Sequence, residues 1–165
     1  MFCLLFFVFS GVVVFAWEPE DLTKFPPCMK PGDLIINLGA GLTPGYGKSY
    51  IPAARLSLDG NIGIGEKKLP FFAGGVVSYW GYDKNYQYIS LGGRFGYHFN
   101  WGVEKLDTYA VTTAGWIIDF IEDNGWFLFG VSTGARYFLN SWFGFWAEIG
   151  YTSFSVFDIG VTFKF

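Results

Sequence analysis

The chain ends Asp158-Ile159-Gly160-Val161-Thr162-Phe163-Lys164-Phe165, and the stretch alternates without a break. Asp158, Gly160, Thr162 and Lys164 fall on one face of an extended chain; Ile159, Val161, Phe163 and Phe165 fall on the other, in line with Phe157. Successive side chains of a strand point to opposite sides, so strict period two reads as a strand between two unlike environments. One face is small and polar, the other bulky and apolar.

The same alternation repeats back through the chain. Strands are expected at 33–43, 50–59, 69–80, 86–99, 107–119, 126–139, 143–151 and 155–165. Arg55, Ser57 and Asp59 oppose Ala54, Leu56 and Leu58; Ser90, Gly92, Arg94 and Gly96 oppose Ile89, Leu91, Phe95 and Tyr97. Gly130, Ser132, Gly134 and Arg136 oppose Phe127, Phe129, Val131 and Tyr137. Strand three has no clear phase, because both of its faces carry apolar residues or Gly. Turn signals separate the strands: Pro44-Gly45, Gly60-Asn61, Asp83-Lys84-Asn85, Asn100-Trp101-Gly102, Asp123-Asn124-Gly125 and Asn140-Ser141.

Composition says which solvent the bulky face meets. Of 165 residues, 52% are apolar, 22% aromatic and only 15% charged, with 20 Phe, 7 Trp and 23 Gly. Beyond residue 17 no unbroken apolar run is long enough for a spanning helix, and the remaining way to cross a bilayer is a closed barrel. An eight-stranded barrel has an interior just wide enough to be filled by side chains, so the Gly, Ser, Thr and charged face is expected inside and the Phe, Leu and Ile face in lipid. In water that outer face would be a very large exposed apolar patch. The expected fold is therefore an all-β, eight-stranded antiparallel up-and-down transmembrane barrel over 33–165. Its inward face carries Arg55, Arg94, Arg136 and Lys164 with Asp59, Asp119, Glu148 and Asp158, expected to pair across the lumen as a salt-bridge plug. Tyr46, Tyr50, Tyr79, Tyr82, Tyr86, Trp126 and Tyr151 are expected near one rim, and Tyr97, Phe99, Trp101, Tyr137, Trp142 and Phe143 near the other, as two interfacial girdles.

Residues 1–16 read as a signal peptide, with Val14-Phe15-Ala16 as a small-residue cleavage site, although the segment begins without Lys or Arg. The alternative is an uncleaved anchor. Residues 17–32 are a proline-rich periplasmic lead-in, and Cys28 is left without an intramolecular disulfide partner once Cys3 is removed. A net charge of −3 gives no electrostatic case for nucleic acid.

The terminal stretch resembles the assembly signal of outer-membrane β-barrel proteins (porin-like, of OmpX/OmpW size), in which a polar residue is followed by Gly and then by apolar residues alternating to a final Phe. Gly93-Arg94-Phe95-Gly96-Tyr97-His98-Phe99-Asn100, Lys105-Leu106-Asp107-Thr108-Tyr109-Ala110, and Gly134-Ala135-Arg136-Tyr137-Phe138-Leu139-Asn140 followed by 143–151 are similar to that family's strands. The resemblance implies an outer-membrane location and recognition by the barrel-assembly machinery through Asp158, Gly160, Phe163 and Phe165. It implies no particular activity.

Two motifs invite a functional reading. Gly41-Leu42-Thr43-Pro44-Gly45-Tyr46-Gly47-Lys48-Ser49 approaches a phosphate-binding loop, but five residues rather than four separate Gly41 from Gly47 and no helix follows. His98, the only histidine, could serve a Ser/His/acid set of the kind used by barrel lipid A deacylases; it is expected near the periplasmic rim as a satisfied interior residue. No cofactor or metal is expected. The function expected is a monomeric outer-membrane barrel in lipid, with a structural or envelope role and no catalysis. A narrow path for small or hydrophobic solutes is the first alternative and a surface adhesin the second.

Overall fold

The computed structural model describes residues 28–42, 53–64, 69–81, 87–151 and 154–165. The strands are β1 (Leu34–Leu42), β2 (Ala53–Ile64), β3 (Leu69–Gly81), β4 (Gln87–Phe99), β5 (Leu106–Asp119), β6 (Asn124–Phe138), β7 (Phe143–Tyr151) and β8 (Phe157–Lys164). Each pairs antiparallel with its sequence neighbours, and β1 pairs with β8 from Ile35↔Lys164 to Leu42↔Phe157, so the sheet closes into a barrel. Closure leaves no open sheet edge around the wall, the condition for backbone in hydrocarbon. An even strand number brings both ends of the barrel chain to one rim. The ends of β2, β4 and β6 and the starts of β3, β5 and β7 share that rim; the ends of β1, β3, β5 and β7 and the starts of β2, β4, β6 and β8 lie at the other.

The period-two reading places the faces correctly. Leu38, Leu56, Leu91, Phe95, Phe127, Phe129, Phe145, Ile149 and Ile159 are all exposed, Phe127 by 62% and Ile149 by 58%. Asn37, Arg55, Ser57, Asp59, Ser90, Arg94, Arg136, Glu148, Asp158 and Thr162 are buried. This is the inverse of a water-soluble protein. Even the shortest strands, 8 or 9 residues tilted as in membrane barrels, rise roughly 20 Å along the axis, most of the roughly 25 Å apolar band of such barrels.

Two turns differ from expectation. Gly60-Asn61 is no turn: β2 continues to Ile64, and Asn61 pairs with Phe72. Its backbone N–H donates to the Asp33 carbonyl and its carbonyl accepts from Gly32 N, so turn-prone residues are held in strand by the segment before β1. Asn124 and Gly125 likewise belong to β6, and the turn is carried by Asp123 in the left-handed region at φ 49°, which Asp tolerates better than most residues. In β3, Phe72, Val76 and Ser78 point inward and Val77 and Tyr79 outward. The signal peptide, residues 17–27, the expected start of strand two, most of the glycine-rich 41–49 stretch, Tyr46, Tyr50, Tyr82 and Tyr86 lie outside the described residues.

The interior is bulkier than the volume argument anticipated. Phe72, Tyr109, Phe138 and Trp146 are all buried inside, with Ile35, Ile117 and Leu128. Inward glycines on facing strands make the room. A Cβ at Gly96 would overlap the Phe72 ring, one at Gly134 the Tyr109 ring, and one at Gly39 the Trp146 ring. Small and large residues therefore alternate around the lumen rather than being segregated to opposite faces.

Tyr109 cannot yield at Gly134, because its hydroxyl is bonded to Glu148 and its ring lies under Arg136. Gly134→Val should destabilise the barrel by about 1–3 kcal/mol, the usual cost of overpacking. Ala135→Val, one residue on and facing outward, should change stability little; urea unfolding of the two variants in detergent micelles measures the difference.

Candidate functional site in the barrel lumen

Alternation brings between one and four buried polar side chains from each strand to the barrel interior, and their partners cross it. Glu148 of β7 is the best-connected acceptor. Its Oε1 accepts from Arg55 Nη2 at 2.8 Å and Ser132 Oγ at 2.6 Å; its Oε2 accepts from Arg94 Nη2 and Tyr109 OH, both at 2.9 Å. Arg55 spans further, with Nη1 2.5 Å from Asp158 Oδ2, and Ser155 Oγ donates to the other oxygen of Asp158 at 2.6 Å.

Arg136 of β6 organises the layer nearer the chain ends. It donates from Nη2 to Asp59 Oδ2 at 2.6 Å, from Nη1 to Asp107 Oδ2 at 2.7 Å and from Nε to Asn37 Oδ1 at 3.1 Å. Its guanidinium sits 4.1 Å from the Tyr109 ring centroid, a cation–π contact in a desolvated site. Asn37 accepts from Thr162 Oγ1 and donates to Ser57 Oγ, joining β1 to β8 and β2. Asp59 links the two layers, its Oδ1 lying 3.5 Å from Arg94 Nε. The side chains of Arg94, Arg136 and Asp59 are fully shielded from solvent.

Of the eight expected residues, Arg55, Asp59, Arg94, Arg136, Glu148 and Asp158 meet in this one cluster. Asp119 does not. It is buried at the far end of β5, where its Oδ1 accepts from the N–H groups of Ile121 and Glu122 and caps the β5–β6 turn. Lys164 does not either: its Nζ donates to the Cys28 carbonyl at 3.1 Å and lies over the Phe138 ring at the mouth. Being the last residue of β8, it sits below the layer that its face would otherwise have joined.

Asp107, which was not among the expected residues, joins the cluster. It shares parity with Asp119 on β5, so alternation could have found it; its position at the start of the strand hid it. It contacts both Arg136 and His98, the latter through Nδ1 at 2.7 Å. The other ring nitrogen of His98 faces Asn61 Oδ1 at 3.0 Å, and the ring packs 4.7 Å from Phe72. His98 is thus a buried bridge between β4, β5 and β2, and its two hydrogen-bond partners are a carboxylate and an amide, neither of them a serine hydroxyl.

Every carboxylate of the cluster is engaged by an arginine, each arginine contacts at least one carboxylate, and none is open to bulk water. The terminal residues expected to serve assembly are seated in the wall: Asp158 and Gly160 face inward, and Phe163 stacks on Trp142 and packs at a tilt against Phe143. Phe165 is 67% exposed, with its N–H and carbonyl both bonded to Leu34.

No family model matches the chain, and no curated protein does. Among solved structures it is similar to Ail, the attachment invasion locus protein of Yersinia pestis, with a TM-score of 0.44 and 13% identity, covering 82% of this chain and 100% of that one.

Removing one member of a buried charge pair typically costs about 3–5 kcal/mol in soluble proteins, because the partner is left charged and unsolvated. Glu148→Ala would take one of two carboxylate partners from both Arg55 and Arg94 and should cost about that much. Combining it with Arg94→Met should cost clearly less than the sum of the two single losses, measured as a double-mutant cycle of unfolding free energies. Additive losses would contradict the coupling.

Proposed function

We propose that this chain is an integral outer-membrane β-barrel, exported with a cleaved signal peptide, that serves the envelope as a closed, monomeric structural element rather than as an enzyme or a pore. The observation that carries this reading is the Glu148–Arg55–Arg94–Asp59–Arg136–Asp107 cluster, which runs from strand to strand across the axis. An eight-stranded barrel has room for little besides side chains, and here the side chains are tied to one another. A solute would have to break several buried ion pairs to pass. The thirty or so large apolar side chains left exposed support lipid as the surroundings. The alternating terminal strand ending in Phe165 supports delivery by the barrel-assembly machinery.

Reconstituted in planar bilayers, the refolded protein should show no discrete single-channel conductance between pH 5 and 8. Stable unitary currents from the unmodified protein would favour the narrow-path reading and overturn the closed one.

A further inference from the structure

Residues Cys28 to Asp33 do not trail away from the barrel; they fold back under it at the rim where both chain ends emerge. Asp33 N donates to the Lys30 carbonyl, Lys30 N donates to Asp33 Oδ2, and Gly32 takes φ 97°, which turns the segment sharply into β1. The turn presents Met29 to the mouth. Its side chain is only 3% exposed and packs with Ile35 of β1 and Phe138 of β6, with Cys28 against the same cluster. Two backbone hydrogen bonds, Gly32 N to Asn61 O and Asn61 N to Asp33 O, fasten the segment to β2; Lys164 of β8 fastens it at Cys28. The space beneath it, between Met29, Asn61 and His98, amounts to about 10 Å³, room for at most one water.

The docking surface therefore combines β1, β2, β6 and β8. β8 meets β1 only when the barrel closes, so this surface does not exist on an open sheet. We propose that residues 28–33 form a strap that docks after closure, seals this mouth with Met29, and ties the last strand to the first across the seam. The strap is held by one apolar side chain and a few hydrogen bonds, against a wall held by eight continuous ladders. It is thus the part that lets go first. Released, it would open the mouth to the His98 and Asp107 layer without unzipping a strand.

Cys28 reports the strap's state. Burial, with the Asp107 carboxylate nearby, pushes its thiol from 9.0 up to about 11. Docking alone should therefore cut the reactive thiolate at neutral pH about a hundredfold. The experiment uses the full chain in membranes with Cys3→Ser, so that Cys28 is the sole thiol. N-ethylmaleimide labelling is timed, with the folded barrel scored by its mobility on unheated gels. Labelling in the folded barrel should be about a hundredfold slower than in the urea-unfolded chain. Met29→Ser and Lys164→Met should each accelerate it at least about tenfold while folded mobility is retained. In the Cys3→Ser protein itself, fast labelling should set in at a lower temperature than loss of folded mobility. Equal labelling of folded and unfolded chains would overturn the strap. So would folded variants that label no faster, or labelling and barrel opening that coincide on heating.

Discussion

Glu148 accepts four hydrogen bonds from four side chains on four different strands, and the rest of the barrel is arranged so that it can. A carboxylate without bulk water is tolerated only when its lone pairs are filled and its charge is met. Arg55 and Arg94 meet it, and each carries a second carboxylate, Asp158 or Asp59. Asp59 then requires Arg136, which holds Asp107, which holds His98. Satisfying one buried charge thus fixes side chains on β1, β2, β4, β5, β6, β7 and β8. The register of a closed barrel follows from these pairings as well as from its backbone ladders, since a slip of one residue would turn the whole set toward lipid.

The packing is that of a barrel with its polar layer inside. Aromatic residues still enter the lumen, at Phe72, Tyr109, Phe138 and Trp146, and they serve the charges. Tyr109 donates to Glu148 and lies beneath Arg136; Trp146 donates to the Leu38 carbonyl and lies 5.7 Å from the Arg55 guanidinium. Gly39, Gly96 and Gly134 supply the depth for those rings. Outside, aromatic side chains pack in groups near the rims: Tyr97 meets Phe71 and Phe99 edge to face, and Trp142 is tilted against Phe143 and stacked on Phe163. Amphipathic rings at these levels suit the two membrane interfaces.

Much of this was legible in the sequence because a strand's period is two and lipid makes the contrast between its faces large. The eight strands, their order and the outward placement of Leu56, Phe95, Phe127 and Ile159 follow from that contrast alone. The inward Arg55, Arg94, Arg136 and Glu148 follow equally, since a charge on a greasy strand has only one affordable direction. Local chemistry misled where a tertiary contact overrode it. Gly60-Asn61 looks like a turn, yet the segment before β1 bonds its backbone and His98 bonds its side chain. Phase was lost in β3, where Phe72 enters the lumen because Gly96, its partner on the neighbouring strand β4, leaves room for the ring. Parity cannot say how deep a residue lies along the axis. Lys164 and Asp119 therefore shared the face of the cluster without sharing its layer, and Asp107 was passed over at a strand end.

The account depends on one claim above the others, that the chain is a closed barrel in the outer membrane with its charges locked inside. Gel mobility of the protein extracted from outer-membrane fractions, with and without boiling, tests it most directly. A closed barrel should migrate anomalously when unheated and shift to the mobility of its 18.5 kDa chain only after boiling. A single mobility under both conditions, with the protein recovered in the soluble periplasmic fraction, would contradict the account.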